Sequence, residues 1–593
     1  MNKSLISGYK KTSIKKAGVF LDALIIPGLL LVFLCMTSHF AMGQDEEDDG
    51  DITDQQVTVL TEYTPVISDA TRIEKLPEVK DTFDVNPEFD YDIFSKRQSG
   101  DYKPDPLKAA RLEDKQEDKL DNGYARLMLG SKLMLNADIH YNNTRKHNLN
   151  WGINGSHRSG HGRLENMIRD NVYAGYNKNM IGAFAKRMFP QATLSGSVDF
   201  RSNQHFFYGY NTEGVNLPEN ILRPVTKSDF ISDEQYQRYN IFSVKTRTAS
   251  RFYNSKKMNY DVGLNYDFWF DAKQNQEHYL DFNLNLDKKI KKEHVGADAE
   301  LVIMPASYLD ASPMYISVSP YLAHNTENFK AKLGLRGKSR FVDDSTSYHL
   351  YPDIHIEHNI ADIILPYASF SGNLEEYSTK EISLINPFMN DALKISEANI
   401  KQHLTLGFKG RISDAVQFNL NGQYVKSDNQ HFFVNDFGSS FMRNRFTVEY
   451  SNAELFKFYG ELNFDFGQNF NLRVHGKYNL FTYLPDIEHP WHVPSFKSGL
   501  YARMRIMPEL YVSADAFVLI DRYALVPSGS PADPHVSEKL DPAIDVNLKA
   551  EYILSQRLNA KLELNNLAGQ NYEIWNQYPV YGFHVMAGIS YSF

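Results

Sequence analysis

The chain has 593 residues, a net charge of −10 and a mean hydropathy of −0.45. The negative charge argues against a nucleic-acid partner, because proteins bind the phosphate backbone through clusters of Lys and Arg. No stretch beyond the N-terminus supplies the roughly 20 consecutive apolar residues that a membrane-spanning helix needs. Tyr and Phe are abundant, with 36 and 38 residues against 4 Trp, and membrane β-barrels concentrate aromatic residues at both interfaces.

Residues 1–43 have the layout of a secretory signal peptide. Five lysines within the first 16 residues form the basic part, residues 23–35 form the apolar core, and Ala41-Met42-Gly43 is a small-x-small cleavage site. Cleavage after Gly43 also removes Cys35, the only cysteine, and leaves a mature chain without thiols. The alternative is a lipoprotein anchored through Cys35, but Leu34 is bulky where a small residue is expected.

Residues 44–122 differ in composition from the rest of the chain. They begin with an acidic run at 45–49, which is typical of a solvated segment, and five prolines interrupt any long regular element. The piece Gln56-Val57-Thr58-Val59-Leu60 is short and β-prone, and residues 107–120 are dense in charge and suit a short polar helix. We predict a largely irregular periplasmic extension without a core of its own, lying in the periplasm or in the mouth of a barrel.

From Gly123 onward the sequence alternates between apolar and polar residues. In 280–287, for example, Leu and Phe alternate with Asp and Asn. Charges at every second residue are costly against a dry core but inexpensive in a water-filled lumen. The pattern therefore predicts an all-β fold, a transmembrane antiparallel barrel over 123–593, in preference to a soluble sheet. In residues 445–467 most of the large apolar side chains lie at even-numbered positions from one end to the other. This continuous alternation predicts a single long strand that projects beyond the membrane.

The lengths of the connections predict orientation, because such barrels have short periplasmic turns and longer outer loops. Ten short turns are predicted at 142–147, 189–191, 254–257, 288–293, 325–328, 359–362, 413–415, 467–469, 507–509 and 555–557. Longer loops are predicted at 159–173, 210–235, 372–397, 429–443, 485–494, 524–539 and 570–579. Ten turns join eleven hairpins, which gives 22 strands with both termini in the periplasm. This count requires an outer turn at 130–133, inside an almost continuous apolar run.

The last strand, 582–593, alternates strictly and ends on an aromatic residue. Tyr591 and Phe593 share its apolar face. A closing strand of this kind is similar to the last strand of outer-membrane barrels, where the final aromatic belongs to the signal read by the barrel assembly machinery. We therefore expect outer-membrane lipid and that machinery as partners, with Tyr591 and Phe593 as the C-terminal assembly signal.

Three segments near the C-terminus carry a family resemblance. They are Leu562-Glu563-Leu564-Asn565-Asn566-Leu567, Tyr572-Glu573 and Gly588-Ile589-Ser590-Tyr591-Ser592-Phe593. With the count of 22 strands, they make residues 123–593 similar to the barrel of TonB-dependent receptors. Those receptors import bulky scarce nutrients such as metal chelates, cobalamin and glycans. The resemblance implies uptake of a solute across the outer membrane of a Gram-negative cell, and it leaves the ligand open.

The N-terminus departs from that family. TonB-dependent receptors hold a folded plug inside the barrel, and residues 44–122 are too few for one. Within them, Gln56-Val57-Thr58-Val59-Leu60 is similar to the TonB box, which pairs by strand addition with the energy-transducing protein; the alternative is an ordinary strand. Because a lumen of 22 strands is wide and known ones are plugged, the extension, inward-folded loops or a partner protein must fill it.

Two functions follow from these features. The first is solute uptake. The second is an accessory barrel without transport activity in a larger outer-membrane complex for secretion, assembly or uptake, with the extension as a docking arm for a periplasmic or outer-membrane partner.

Candidate binding residues lie on the polar faces of neighbouring strands. A lumen basic stripe is predicted from Arg473, Lys477, Lys497, Arg503 and Arg505, and it suits an anionic ligand. The alternative is that these five residues neutralise lumen carboxylates such as Asp465 and Asp515.

Enzyme chemistry finds little support in the sequence. Phosphate-cradling glycine motifs, CxxC pairs and dinucleotide fingerprints are absent, and the Ser and His neighbours at 156–161 are ordinary loop residues. His157 and His161 lie too far apart on an extended strand to chelate one ion. We therefore assign no enzyme activity, cofactor or metal. Aromatic residues of the outer loops suit either ligand stacking or loop packing; they are Phe206, Phe207, Tyr208, Tyr210, Phe432, Phe433, Phe437 and Trp491.

Overall fold

A computed structural model describes residues 121–593 of the chain, apart from 144–147, 167–168, 210–235, 251–256, 310–311, 361–362, 392, 394, 437–443 and 531–532. Residues 1–120 lie outside the described residues. They include the predicted signal peptide, the segment Gln56–Leu60 and all of the predicted extension except residues 121 and 122. Among the described residues, no helix has both the length and the apolar character to cross a bilayer.

Twenty-two antiparallel strands form one sheet that closes on itself, because the first strand, Gly123–Gly130, pairs with both the second, Met134–Asn142, and the last, His584–Ser592. The barrel strands are β1 (Gly123–Gly130), β2 (Met134–Asn142), β3 (Leu149–Gly160), β6 (Tyr176–Met188), β7 (Ala192–Phe206), β8 (Tyr236–Ser250), β9 (Asn259–Asp271), β10 (Gln276–Ile290), β11 (Glu293–Ile303), β12 (Met314–Asn325), β13 (Phe329–Val342), β14 (Ser345–His358), β15 (Ile364–Glu375), β16 (Ala398–Ser413), β17 (Val416–Asn435), β18 (Phe446–Asp465), β19 (Phe470–Tyr483), β20 (Phe496–Met507), β21 (Leu510–Ile520), β24 (Ala543–Ile553), β25 (Leu558–Asn565) and β28 (His584–Ser592). The predicted fold class and the count of 22 strands are confirmed.

The remaining elements lie in the connections between barrel strands. They are the two-stranded sheets β4 (Arg163–Asn166) with β5 (Arg169–Tyr173), β22 (Arg522–Ser530) with β23 (Asp533–Leu540) and β26 (Glu573–Trp575) with β27 (Tyr578–Pro579), the helix α1 (Thr379–Ile385) and a 3-10 turn at Ser131–Leu133. Several predicted loops are therefore folded, and β17 extends to Asn435, which shortens the loop predicted at 429–443.

The ten predicted short turns lie at junctions between consecutive barrel strands, but β10 and β11 extend into the segment predicted at 288–293, and residues 144–147, 254–256 and 361–362 lie outside the described residues. The 3-10 turn at Ser131–Leu133 separates β1 from β2 as the strand count required. The short turns share one end of the barrel with Asp121 and Phe593, and we call it the turn end. The long connections share the other end, which we call the loop end. The single long strand predicted over 445–467 is confirmed as β18.

The two faces of the wall meet different solvents. On β1 the side chains of Leu127 and Leu129 point outward and are 48% and 62% exposed, and Ile589 of the neighbouring β28 is 51% exposed. On the inner face of the same wall, Arg126 pairs with the buried Asp138 of β2, with Arg126 Nη2 2.6 Å from a carboxylate oxygen. Large exposed apolar side chains outside and ion pairs inside are what a membrane barrel requires.

The apolar band on the outer face has a visible upper limit. On β18 the outward residues from Phe464 to Phe456 are mainly apolar, and eight residues of strand rise about 27 Å. At the usual strand tilt this corresponds to roughly 20 Å of membrane, close to the band of about 25 Å in such barrels. The next outward residue, Glu454, pairs with Lys426 of β17 at 2.6 Å. Both strands then continue by about nine residues, so they project beyond the apolar band.

The first and last strands meet at the turn end through the backbone of Phe593. The N–H groups of Asn122 and Gly123 both donate to Phe593 O, at 2.8 and 2.7 Å, and Phe593 N donates to Gly123 O at 2.9 Å. The Phe593 ring covers Gly123 so closely that a Cβ there would lie 2.2 Å from it. A side chain at this point of the seam would therefore displace the Phe593 ring.

Candidate functional site

The basic stripe lies on the lumen face of β19 and β20. Lys477 faces Lys497 directly across the pair, and Arg473 faces Tyr501. The opposite face of these strands carries Leu500 and other exposed apolar residues of the outer surface. The five predicted side chains therefore share one wall of the lumen.

The three arginines of the stripe lie nearer the turn end than the lysines, and each contacts protein groups. Arg473 Nε donates to Asn463 Oδ1 at 2.9 Å. Arg505 Nη2 donates to the carbonyl of Pro508 at 2.9 Å, and the Arg503 guanidinium lies 4.6 Å from the centre of the Tyr511 ring.

The two lysines differ, since neither forms an ion pair with any of the described residues. Lys457 of β18 is a third lysine without an ion pair among the described residues. It lies on the same face as Lys477, because Tyr459, two residues along β18, is the register partner of Lys477. Lys457 was not among the residues predicted from the sequence. Its alternation with Phe456 and Phe458 identifies the lumen face, but only the strand register places it beside Lys477.

The carboxylates offered as alternative partners of the stripe have other contacts. Asp515 pairs with Lys549 of β24 at 2.7 Å. Asp465 accepts hydrogen bonds from Gly467 N at 2.9 Å and from Asn471 Nδ2 at 2.6 Å. Lysines that face each other without a carboxylate repel one another, which favours an anion between them.

The connection 376–397 between β15 and β16 folds inward, and we call it the lumen loop. It begins with α1, whose Ser378 forms a capping box with Glu381. On the inner wall Glu277 of β10 accepts hydrogen bonds from Thr379 N at 2.8 Å and Thr379 Oγ1 at 2.6 Å. Trp269 Nε1 of β9 donates to Ser383 Oγ at 3.2 Å. The helix is thus bound to a wall that lies several strands away from its own β15.

A second anchor of the lumen loop is the carboxylate of Asp391. It accepts from Gln237 Nε2 of β8 at 2.6 Å and pairs with Lys273, which follows β9. It also pairs with the buried Arg445, which precedes β18. One carboxylate therefore links three separate parts of the wall.

The lumen loop is the centre of a packed apolar core at the loop end, which we call the mouth core. Its buried members come from seven parts of the chain and are Phe207, Tyr239, Ile241, Trp269, Ile382, Phe388, Met389, Leu393, Phe433, Phe446 and Tyr578. Phe388 stacks on Tyr578 with ring centres 3.6 Å apart. Met389 forms a parallel bridge with Phe446 at the start of β18. The core runs from β8 and β9, through the lumen loop, to β17 and β18.

Four of the eight aromatic residues considered for ligand stacking are instead buried in the packing of the loop end. The side chains of Phe207, Phe432, Phe433 and Trp491 are all at most 7% exposed. Phe206 and Tyr208 are partly buried and line a cavity described below. Tyr210 and Phe437 lie outside the described residues.

Two buried groups at the loop end have pKa values shifted in opposite directions. Burial raises the pKa of the Glu573 carboxyl from its ordinary 4.5 to about 7, although the Gln577 N–H that donates to it acts to lower it. Burial lowers the pKa of His492 from 6.5 to about 4. His492 Nδ1 lies 2.9 Å from Phe433 O, and Asn576 N donates to His492 Nε2 at 3.2 Å. These contacts suit a neutral ring.

Between pH 4.5 and 6.5 these two groups change the stability of the loop end in opposite directions. The contribution of Glu573 is complete below pH 4.5 and is lost as the pH rises towards 7. The contribution of His492 is complete above pH 6.5 and is lost as the pH falls towards 4. Glu573→Gln removes the first contribution, so the stability of the variant should rise with pH more steeply than that of the parent, by about 1.4 kcal/mol per pH unit. Thermal unfolding followed by tryptophan emission measures the two slopes, and equal slopes would contradict the prediction.

The histidines considered as a metal pair have protein partners. His157 Nδ1 lies 2.7 Å from Asn179 Oδ1, and His161 Nδ1 lies 2.6 Å from Tyr173 OH. Within the described part of the chain no group of three or more His, Cys, Asp or Glu side chains is arranged to hold a metal ion.

No protein-family model matches the sequence, and neither does any curated protein. Solved structures match the fold. The pyoverdine outer membrane receptor FpvA from Pseudomonas aeruginosa, bound to pyoverdine, is 12% identical and aligns with a TM-score of 0.59 over 80% of this chain and 79% of that chain. The siderophore receptor PirA from Acinetobacter baumannii is 12% identical and aligns with a TM-score of 0.59 over 80% of this chain and 81% of that chain. The FrpB iron transporter from Neisseria meningitidis is 12% identical and aligns with a TM-score of 0.59 over 80% of this chain and 82% of that chain. The chain therefore has the transmembrane β-barrel fold of TonB-dependent receptors, as the resemblance implied.

Proposed function

We propose that this protein takes up a solute across the outer membrane and that the lumen loop is its gate. The turn end and both termini then lie in the periplasm, and the loop end faces the outside. The observation that carries the proposal is the closure of the loop end by a connection rather than by the wall. Ion pairs and hydrogen bonds hold that connection, and water can replace them when the loop moves.

The basic stripe indicates the charge of the solute. Lys457, Lys477 and Lys497 form a surface without a carboxylate partner among the described residues, so an anion gains a charge-assisted contact there. The related folds bind pyoverdine or transport iron according to their names, which makes an anionic metal chelate one candidate solute. No catalytic step belongs to this function.

Charge reversal tests the stripe. We expect the double variant Lys477→Glu and Lys497→Glu, made in a barrel whose lumen loop is deleted, to change its selectivity from anions to cations. The reversal potential across a planar bilayer in a KCl gradient measures this change. Lys539→Glu is the matched control, because Lys539 lies on the outer hairpin strand β23 and is exposed. Equal reversal potentials in all three proteins would show that the lysines do not act on the solute.

We further propose that Gln56, Val57, Thr58, Val59 and Leu60 pair with a TonB-type transducer by strand addition. Energy for the movement of the lumen loop then reaches the barrel from the periplasm. The aromatic pair Tyr591 and Phe593 acts in assembly and has no role in transport.

The second candidate function is an accessory barrel of a larger complex, and the mouth core favours it, since a packed apolar core is a stable closure. Deleting residues 45–106 separates the two functions. If the extension blocks the lumen, we expect cells to become sensitive to large antibiotics. If it is a docking arm, permeability stays the same and co-purifying proteins are lost. An effect on neither would contradict both roles of the extension.

A further inference from the structure

A cavity of about 240 Å³ lies beside the mouth core, between the start of β6, the end of β7, the lumen loop and residues 580–581. Its walls are mostly flat and apolar. Five aromatic rings line it, those of Tyr176, Phe206, Tyr208, Phe388 and Tyr581. A cavity of about 150 Å³ holds a benzene molecule, so this one has room for one substituted ring or two fused rings.

The polar groups of the cavity are of two kinds. The hydroxyls of two tyrosines are engaged, because Tyr208 OH donates to Pro579 O at 3.0 Å and Tyr581 OH accepts from Gly162 N at 3.1 Å. Lys178 and His205 instead make no hydrogen bond or ion pair with the described residues.

Strand register brings Lys178 and His205 to the same wall. His205 faces Tyr176 across the β6–β7 pair, and Lys178 is two residues further along β6 on the same face. Lys178 Nζ lies 5.8 Å from the centre of the Tyr176 ring. His205 meets the Phe388 ring edge-on, with ring centres 6.1 Å apart. An ammonium group and an imidazole thus border an aromatic slot, and no acidic side chain is among the described residues that line it.

A larger cavity among the described residues does not have such unpaired basic groups. It measures about 420 Å³ and lies on the lumen wall between β8 and β12 near the turn end. Its polar groups bind one another: His294 Nδ1 lies 2.9 Å from an Asp287 oxygen, and Asn285 Nδ2 donates to Asp298 at 2.6 Å. A ligand there would have to replace contacts that already exist.

We propose that the smaller cavity binds an aromatic carboxylate of one or two rings. The ring of the ligand stacks among Tyr176, Phe388 and Tyr581, and its carboxylate pairs with Lys178 and accepts from His205. The cavity is too small for a bulky chelate, so this ligand differs from the transported solute. The site depends only on the cavity and holds whether or not the barrel transports.

Binding at this cavity acts on the lumen loop. Phe388 belongs to that loop, whereas Lys178 and His205 belong to the wall. A ligand that contacts both the loop and the wall stabilises the arrangement in which they are close, and this stabilisation grows with ligand concentration as RT ln(1 + [L]/Kd). The aromatic carboxylate therefore favours the closed loop end.

Calorimetric titration of the detergent-purified full chain tests the site, with benzoate and indole-3-carboxylate as probes. We expect both to bind. Benzamide lacks the charge and cyclohexanecarboxylate lacks the flat ring, so both should bind at least tenfold more weakly. Lys178→Gln should weaken benzoate binding at least tenfold, and Lys178→Arg should retain it. Phe388→Leu should also weaken binding.

Lys292→Gln is the matched control, because Lys292 is an exposed lysine in the β10–β11 turn at the opposite end of the barrel, and its replacement should leave benzoate binding unchanged. The proposal is overturned if neither probe binds, if benzamide binds as tightly as benzoate, or if Lys178→Gln binds like the parent. Loss of binding in Lys477→Gln alone would move the site to the basic stripe and also overturn it. Should Lys178→Gln fail to fold, the comparison of Phe388→Leu with the parent decides.

Discussion

Replacing residues 378–395 of the lumen loop with a short Gly-Ser linker should turn a closed barrel into an open pore. The replacement removes α1, the Asp391 anchor and four members of the mouth core, among them Phe388. The barrel wall itself remains, since β15 ends at Glu375 and β16 begins at Ala398. We expect a large, stable conductance in planar bilayers that the parent lacks, and sensitivity of cells to antibiotics too large for ordinary porins.

The matched control inserts the same linker between Asp343 and Asp344, in the tight loop-end turn joining β13 and β14. It adds flexible residues at the rim and removes nothing from the lumen, so conductance should match the parent. A milder variant, Asp391→Asn, removes the carboxylate charge that pairs with the buried Arg445 and with Lys273. This weakens the anchor of the lumen loop, so brief openings should appear in single-channel records. If the loop-deleted barrel stays closed, the extension or a partner blocks the lumen, and the gate proposal fails.

Deleting Phe593 should abolish the folded barrel. The deletion removes the three backbone hydrogen bonds that join Phe593 to Asn122 and Gly123. These bonds close the seam between the first and last strands at the turn end, and each backbone hydrogen bond of this kind contributes about 0.5–1.5 kcal/mol. It also removes the ring that covers Gly123. We expect the heat-modifiable folded band on a gel to disappear and the chain to be degraded before insertion.

Two variants separate the seam contact from a general effect of changing the last strand. Gly123→Val keeps Phe593 but places a side chain where its ring lies, so it should lower the folded fraction strongly. Ser592→Ala changes the neighbouring lumen-facing residue and should fold like the parent. Normal folding of Gly123→Val would show that the ring contact is dispensable and that Phe593 acts only as an assembly signal.

Much of the fold was accessible from the sequence because barrel strands have a period of two. The alternation in 280–287 marks one lipid face and one lumen face without any knowledge of neighbours. Turn lengths then gave the count of 22, and even the turn at Ser131–Leu133 followed from the requirement of an even number. The long strand β18 was visible for the same reason, since its parity does not change between Phe446 and Phe466.

The loop end could not be predicted in this way. The lumen loop has no period that shows which wall it contacts, and the partners of Asp391 are Gln237, Lys273 and Arg445, far apart in sequence. Contacts of this kind depend on the order of strands around the barrel and on their stagger. Local sequence patterns carry neither.

The sequence by itself determined the class of molecule, the number of strands and the face on which each charged residue lies, because these follow from local periodicity and turn length. Only the tertiary structure decided which charged residues meet. It brought Lys457 beside Lys477, paired Asp515 with Lys549 and placed Lys178 and His205 at an aromatic cavity with Phe388. The physical reason is that a charge or a ring acts through its neighbours across strands, and the closed register of the barrel sets those neighbours.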